Sequence, residues 1–228
     1  MAKGFRIYNG RDFQRVGGGN VRIWDGGNWQ RGKARAWDDH NWINLLEERH
    51  VTTWDATWTQ GYWSEWHGHA AKGHQSYLLW DGNYLLQGSY GPYYDHWDWG
   101  DQSSMMGFDD ASIRRALSGA RIERVELFLY EVHAGYYAGG QAVIGAHNSR
   151  GWQSHFHEIN HGIARQRFYG RGNGQWITLP NWVGDNFRDN KLSGLTTYAD
   201  GTSLWQYLVF AGTNQGWKKP KLRITYWN

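Results

Sequence analysis

Two groups of ring-bearing and polar side chains carry most of the chemistry that this sequence could do. The first is Tyr93, Tyr94, Asp95, His96, Trp97, Asp98 and Trp99. The second is His133, Tyr136 and Tyr137, joined beyond one short strand by His147, Asn148 and Trp152. A sugar-binding surface needs flat aromatic faces to meet the C–H faces of the ring. It also needs Asp, Asn, His or Gln at a rim to bond the hydroxyls. Both groups supply both ingredients. The same side chains would serve equally as packing at loop bases or between subunits, so two uses stay open.

No residues select themselves as a catalytic set. A glycoside hydrolase holds two carboxylates about 5–10 Å apart across a cleft. Glu123, Glu126, Glu131 and Glu158 are available, but no motif picks a pair, and Glu126 alternates with core positions. There is no G-x-S-x-G, no H-E-x-x-H and no phosphate-cradling glycine loop; Gly26-Gly27 and Gly139-Gly140 read as turns. His155-x-His157-x3-His161, and His67-x-His69 with His74, have ligand-like spacing without matching a defined zinc signature. The expectation is a non-enzyme with no metal and no cofactor.

The elements that must position these residues are bounded by composition. With 228 residues the chain is long enough for one good-sized domain, or a domain plus an appendage. Mean hydropathy is −0.78, yet 17 Trp and 14 Tyr bury large areas despite scoring poorly on such scales. So many amphipathic rings exceed what one core needs, and the surplus belongs at a surface, a binding site or a subunit interface. The net charge of +3 comes from scattered basic residues, with Lys218, Lys219 and Lys221 the only run, so nucleic-acid binding is not expected. The absence of cysteine excludes disulfides and thiolate metal sites. No run approaches the roughly 20 apolar residues that span a bilayer, and no apolar signal core follows Met1. The expected product is made in a cytoplasm and is not exported by the usual signal.

Residues 5–43 contain an internal repeat. Arg6-Ile7-Tyr8-Asn9-Gly10 leads to Phe13, Arg22-Ile23-Trp24-Asp25-Gly26 to Trp29, and Arg35-Ala36-Trp37-Asp38-Asp39 to Trp42. In each copy two rings five apart flank an Asn/Asp/Gly turn, the signature of a hairpin. Isolated hairpins are marginal in water, so these must stack on each other, on the body or on other copies. Tyr8, Phe13, Trp24, Trp29, Trp37 and Trp42 are therefore candidate attachment or oligomer contacts.

The body is expected over 51–228, after an attachment region at 1–50. Residues 44–50 read as a short helix or a linker, and Tyr77–Gln87 as a hairpin around Asp81-Gly82-Asn83. The organising stretch is Ser104–Val132. It reads as a strand end, a helix capped by Asp109 or Asp110 with Ile113 and Leu117 on one face, a C′ glycine at Gly119, and the longest strand. In that strand Val125, Leu127 and Leu129 face one way, and Glu126, Phe128 and Tyr130 the other. Short strands follow at Gln141–Ala146, Gln175–Leu179, Gln206–Ala211 and Lys221–Trp227, with a second helix near Trp182–Lys191. Many short strands and two brief helices predict an all-β, antiparallel, jelly-roll-like sandwich.

GFDDASIRRALSGARIERVELFLY (107–130), with GYYAGGQAVIGAHN (135–148) and the closing PKLRITY (220–226), resembles the C-terminal β-sandwich of minor tail proteins and tail fibres. The phages concerned are long-tailed and infect actinobacteria or other Gram-positive hosts. The N-terminal repeat resembles the Trp-hairpin repeats of phage tail proteins. The resemblance covers roughly residues 5–43 and 75–228. It departs at Gln102-Ser103-Ser104-Met105, where similar domains often carry Gln-Arg-Ser. It implies a virion protein of the tail tip or fibre, made in the host cytoplasm. Its implied partners are other tail proteins, its own copies (a trimer favoured) and host cell-surface polysaccharide. A structural tail-tip, baseplate or decoration protein is the alternative, and a glycan-degrading enzyme a further one.

Overall fold

The computed structural model describes residues 47–63, 83–89, 102–199 and 203–228. In the N-terminal region it describes six short strands, together with residues 11 and 26–28 of their turns. Those strands are β1 (Arg6–Tyr8), β2 (Phe13–Arg15), β3 (Arg22–Trp24), β4 (Trp29–Arg31), β5 (Arg35–Trp37) and β6 (Trp42–Asn44). They pair as three separate hairpins in one shared register. Tyr8 faces Phe13, Trp24 faces Trp29 and Trp37 faces Trp42 beside the turns. Arg6 faces Arg15 and Arg22 faces Arg31 at the open ends. Gly26, at φ 98°, supplies the positive angle that an Asp-Gly turn requires.

The body is an antiparallel β-sandwich. Its first strands are β7 (Arg49–Asp55), β8 (Trp58–Trp63), β9 (Leu85–Gln87) and β10 (Gln102–Gly107). Helix α1 (Asp110–Leu117) leads to β11 (Arg121–Ala134), β12 (Gly140–His147), β13 (Asn160–Phe168) and β14 (Asn173–Leu179). Helix α2 (Asn181–Arg188) leads to β15 (Gly194–Tyr198), β16 (Leu208–Phe210) and β17 (Lys221–Trp227). One sheet has the order β13-β12-β15-β10-β8, the other β7-β17-β11-β16-β9, with β14 also paired to β11. Ala142, Ile144 and Leu195 of the first sheet meet Val125, Leu127, Leu129, Leu222 and Ile224 of the second, all fully buried. Each such Leu, Ile or Val stabilises the fold by about 1.5–3 kcal/mol on burial.

The two helices form where the sequence pattern places them. Asp109 caps α1 by accepting the Ser112 N–H at 3.0 Å, Ile113 and Leu117 are buried, and Gly119 turns the chain at φ 71°. Val183, Gly184 and Phe187 are the buried residues of α2, and Asn190 just beyond its end takes φ 62°. Phe187 meets Phe108 edge-on, with ring centres 6.2 Å apart, so both helices close the same end of the core.

Strand β9 ties the two sheets together through side chains. The Ser104 hydroxyl exchanges hydrogen bonds with the Leu86 backbone, and Thr197 Oγ1 donates to Leu86 O at 3.1 Å. The buried Gln87 carboxamide substitutes for a missing strand. It accepts from Val143 N at 2.7 Å and donates to Gln141 O and Gln206 O, both at 2.8 Å.

The structure departs from the sequence reading in several places. Arg49 and His50 are strand, paired with Trp227 and Tyr226, rather than helix or linker. Strands β13 and β15 carry polar, Gly- and Thr-containing sequences without clean alternation and were not anticipated. The hairpin expected at 77–87 lies partly outside the described residues, although β9 pairs with β16.

Candidate functional site

Three connections pass from one sheet to the other at the same end of the sandwich. These are residues 135–139 between β11 and β12, 169–172 between β13 and β14, and the turn at 203–207 leading into β16. They pack together closely. Gly135 N donates to Tyr207 O at 3.1 Å, and a Cβ at Gly135 would lie 2.5 Å from Leu204 O. At Gly139 (φ 94°) a Cβ would lie 2.0 Å from Phe168 O, so only glycine fits this turn.

The connections bring exposed rings and cations together. Tyr137 is 83% exposed, Tyr169 65% and Tyr136 44%. Arg171 lies over Tyr137 at 4.2 Å, and Arg167 lies between Tyr169 and Trp205 at 4.7 and 4.9 Å. Tyr136 sits 6.3 Å from Trp205. Tyr130 bonds Gly172 O at 2.8 Å and extends the run onto the outer sheet face, where Trp217 packs edge-on at 5.3 Å and Lys218 lies over the Tyr130 ring at 4.6 Å. Such a surface can stack on sugar faces and offer N–H donors beside them.

Beneath it, His133 is half-buried and packs edge-on against Tyr207 at 5.9 Å. Desolvation, and then the charge of Arg171, lower its pKa to about 4. Glu131 is fully buried, and burial raises its carboxyl to about 7 against the pull of Arg171. Its Oε2 accepts from Asn173 at 3.4 Å, while its Oε1 and the Arg171 Nε have no partner among the described residues. Arg171 is fixed by a 2.6 Å bond from Nη2 to Ala134 O.

The second half of the expected ligand group lies elsewhere. β12 is eight residues long, which separates its ends by about 23 Å at strand rise. Tyr136 and Tyr137 precede one end; His147, Asn148 and Trp152 belong to the other, so the six do not form one site. His147 is also corrected as a contact residue, because it is fully buried. Its Nε2 donates to Met106 O at 3.0 Å, its Nδ1 accepts from Ser149 N at 3.1 Å, and its ring tilts on Trp58 at 5.5 Å. Burial lowers its pKa to about 4.

Asn148 and Trp152 are exposed and belong to residues 148–159, which lie back over the outer face of the first sheet. The Trp152 indole donates to Gln60 at 2.7 Å, Tyr62 donates to Gln153 O at 3.0 Å, and His157 N donates to Met105 Sδ at 3.3 Å. Glu158 sits above Gly145, where a Cβ would lie 1.8 Å from its Oε1. It accepts from the Thr196 hydroxyl and meets His161 Nδ1 at 2.8 Å.

The remaining candidates divide in two. Tyr93, Tyr94, His96, Trp97 and Trp99 lie outside the described residues, but the residues flanking their segment are placed. Gly88 and Gln102 bond each other at 2.9 and 3.0 Å, and a Cβ at Gly88 would lie 2.5 Å from Gln206 O, beside Trp205. Tyr8, Phe13, Trp29, Trp37 and Trp42 are placed as strand positions, and Trp24 is 52% exposed. His155 and His157 precede β13 and so share no strand face. Among the described residues no group of three His, Cys, Asp or Glu could hold a metal ion. The four glutamates have separate engagements: Glu123 with Arg49, Glu126 with Arg124 and Arg223, Glu131 with Asn173, and Glu158 with Thr196.

Sequence reasoning missed Arg167, Tyr169, Arg171, Trp205 and Trp217. Their signal was faint. At 167–172 and 216–218 single rings stand beside Arg or Lys at Gly-containing turns, and Trp205 has no basic neighbour in sequence. The set gains meaning only once topology gathers the turns at one end.

No protein-family model matches the chain, and no curated protein matches it. Among solved structures it is similar to the K1 cleaved adhesin domain of Lys-gingipain from Porphyromonas gingivalis W83, at 9% identity and a TM-score of 0.31. That match covers 78% of this chain and 98% of the adhesin domain. At that TM-score the likeness carries no argument about fold or function.

Proposed function

We propose that the chain is a virion protein of the tail tip or tail fibre of a long-tailed phage, with an actinobacterium or other Gram-positive bacterium as host. In this reading it holds envelope polysaccharide through the ring-lined end of its sandwich. The observation that carries the reading is the gathering of exposed Tyr136, Tyr137 and Tyr169 with Arg167 and Arg171 on three packed connections. The resemblance of 107–130 and 220–226 to tail-protein sandwiches supports the setting. The hairpin repeat would join the chain to other tail proteins or to its own copies. Copies presented together multiply modest affinities where geometry permits.

A second reading is a structural tail-tip, baseplate or decoration protein whose rings are covered by neighbouring subunits. Its specific support is β7, paired on one side only by β17 among the described residues, with Val51 54% exposed. Co-sedimentation of the full chain with purified cell-wall polysaccharide, beside sedimentation equilibrium of the protein alone, separates the two. Retention on polysaccharide of unchanged length is the result expected. Tight self-association without retention would favour the structural reading, and shortened polysaccharide would indicate an enzyme.

A further inference from the structure

We infer that the ring-lined end selects acidic polysaccharide, bearing carboxylate or phosphate groups, over neutral polysaccharide. The inference rests on the glycan-contact reading above and adds the charge of the ligand.

It starts from how the molecule treats its cations. On the rest of the body most cations, among them Arg49, Arg121, Arg124, Arg188, Lys221 and Arg223, lie within 4.0 Å of a carboxylate oxygen, while Arg115, Arg165 and Lys191 form no such pair among the described residues. At the ring-lined end, Arg167, Arg171 and Lys218 form no such pair among the described residues. Each lies over a ring instead, at 4.9 Å from Trp205, 4.2 Å from Tyr137 and 4.6 Å from Tyr130. The carboxyl that feels Arg171 is Glu131, which is fully buried and therefore unavailable to neutralise the surface.

The exposed Arg167 guanidinium lies between two rings, and its in-plane N–H fork has no partner among the described residues. Arg171 can offer only Nη1, because its Nη2 bonds Ala134 O and its Nε is buried. The Arg167 fork matches the two oxygens of a carboxylate or phosphate. An acidic sugar residue presents both matching features, an apolar C–H face for the ring and an anion at its edge for the fork. A neutral sugar satisfies only the first. The cations are three and set among rings, without the continuous basic track that a nucleic-acid backbone would need.

The test is affinity electrophoresis of the full chain in gels containing polygalacturonate, the methyl-esterified form of the same polymer, or glycerol-phosphate teichoic acid. A single-stranded oligonucleotide serves as competitor. We expect an acidic gel to retard the protein about tenfold more strongly than the esterified gel, the scale of one charge-assisted hydrogen bond. Arg167→Gln with Arg171→Gln should abolish that preference. If the Arg171 change unfolds the protein, Arg167→Gln with Lys218→Gln should do the same. Retardation by polygalacturonate alone assigns a carboxylate ligand, and by teichoic acid alone a phosphate ligand.

Equal retardation by the acidic and esterified polymers would overturn the inference and leave the glycan-contact reading standing. Retardation in none of the gels would also overturn it, and the polysaccharide co-sedimentation then decides the broader reading. Preferential capture by the oligonucleotide would overturn it in favour of nucleic acid.

Discussion

Desolvation raises the buried Glu131 to about 7 and lowers the half-buried His133 and the buried His147 to about 4, so each favours its neutral form over a wider pH range than in the unfolded chain. The signs oppose. The raised carboxyl contributes stability that is present at low pH and is lost as pH rises from about 4.5 through 7. The lowered histidines contribute stability that is complete above about 6.5 and is lost as pH falls toward 4. Glu131→Gln, which cannot ionise, should therefore be about 1–3 kcal/mol more stable than wild type at pH 8, and equal to it at pH 4. Urea midpoints at the two pH values check this; a gain of the same size at both would show that charge is not the cause. Tyr137→Ala is the contrasting case. With that ring 83% exposed, thermal stability should stay within about 0.5 kcal/mol of wild type. A large loss in a thermal melt would mean that the ring supports the fold rather than the surface.

Single side chains hold the elements in place at two points. Gln87 replaces a strand for Val143 N, Gln141 O and Gln206 O, so Gln87→Ala strands three backbone groups in the interior. At about 1–3 kcal/mol per unsatisfied group the variant should lose at least about 3 kcal/mol, read from the denaturation midpoint. Gly145 leaves room for Glu158, and Gly145→Ala should cost about 1–3 kcal/mol through overpacking. It should also increase hydrogen exchange at His157 N, which bonds Met105, if residues 148–159 are displaced. The elements with local signals were legible in the sequence. α1 has a cap, an i,i+4 pair and a terminal glycine, and β11 and β17 alternate cleanly. β13 and β15 were not legible, because their burial is set by neighbouring strands and by residues 148–159. For the same reason the sequence joined His147, Asn148 and Trp152 to Tyr136 and Tyr137: adjacency through one strand hides that a strand's two ends point to opposite ends of a sandwich.

The whole molecule has a direction. β11 runs 14 residues, about 43 Å at strand rise, from Arg121 to Ala134. At its start the chain arrives from the hairpins. Glu48 and Asn228 exchange backbone bonds at 2.7 and 3.2 Å, and Arg49 pairs with Glu123 at 2.8 Å. At its far end lie Tyr136, Tyr137 and Arg171. In the proposed reading, attachment falls at one end and contact at the other, and the described residues leave Trp24, Tyr136, Tyr137, Trp152, Tyr169, Trp182 and Trp217 exposed. The most direct test compares full-length Tyr137→Ala/Tyr169→Ala with full-length Trp152→Ala, whose indole bonds Gln60 on the outer face of the first sheet, in binding to Gram-positive cell-wall polysaccharide by calorimetry. The account predicts at least a tenfold loss for the first variant and wild-type affinity for the second. Equal losses in both, or full binding by the double variant, would contradict it.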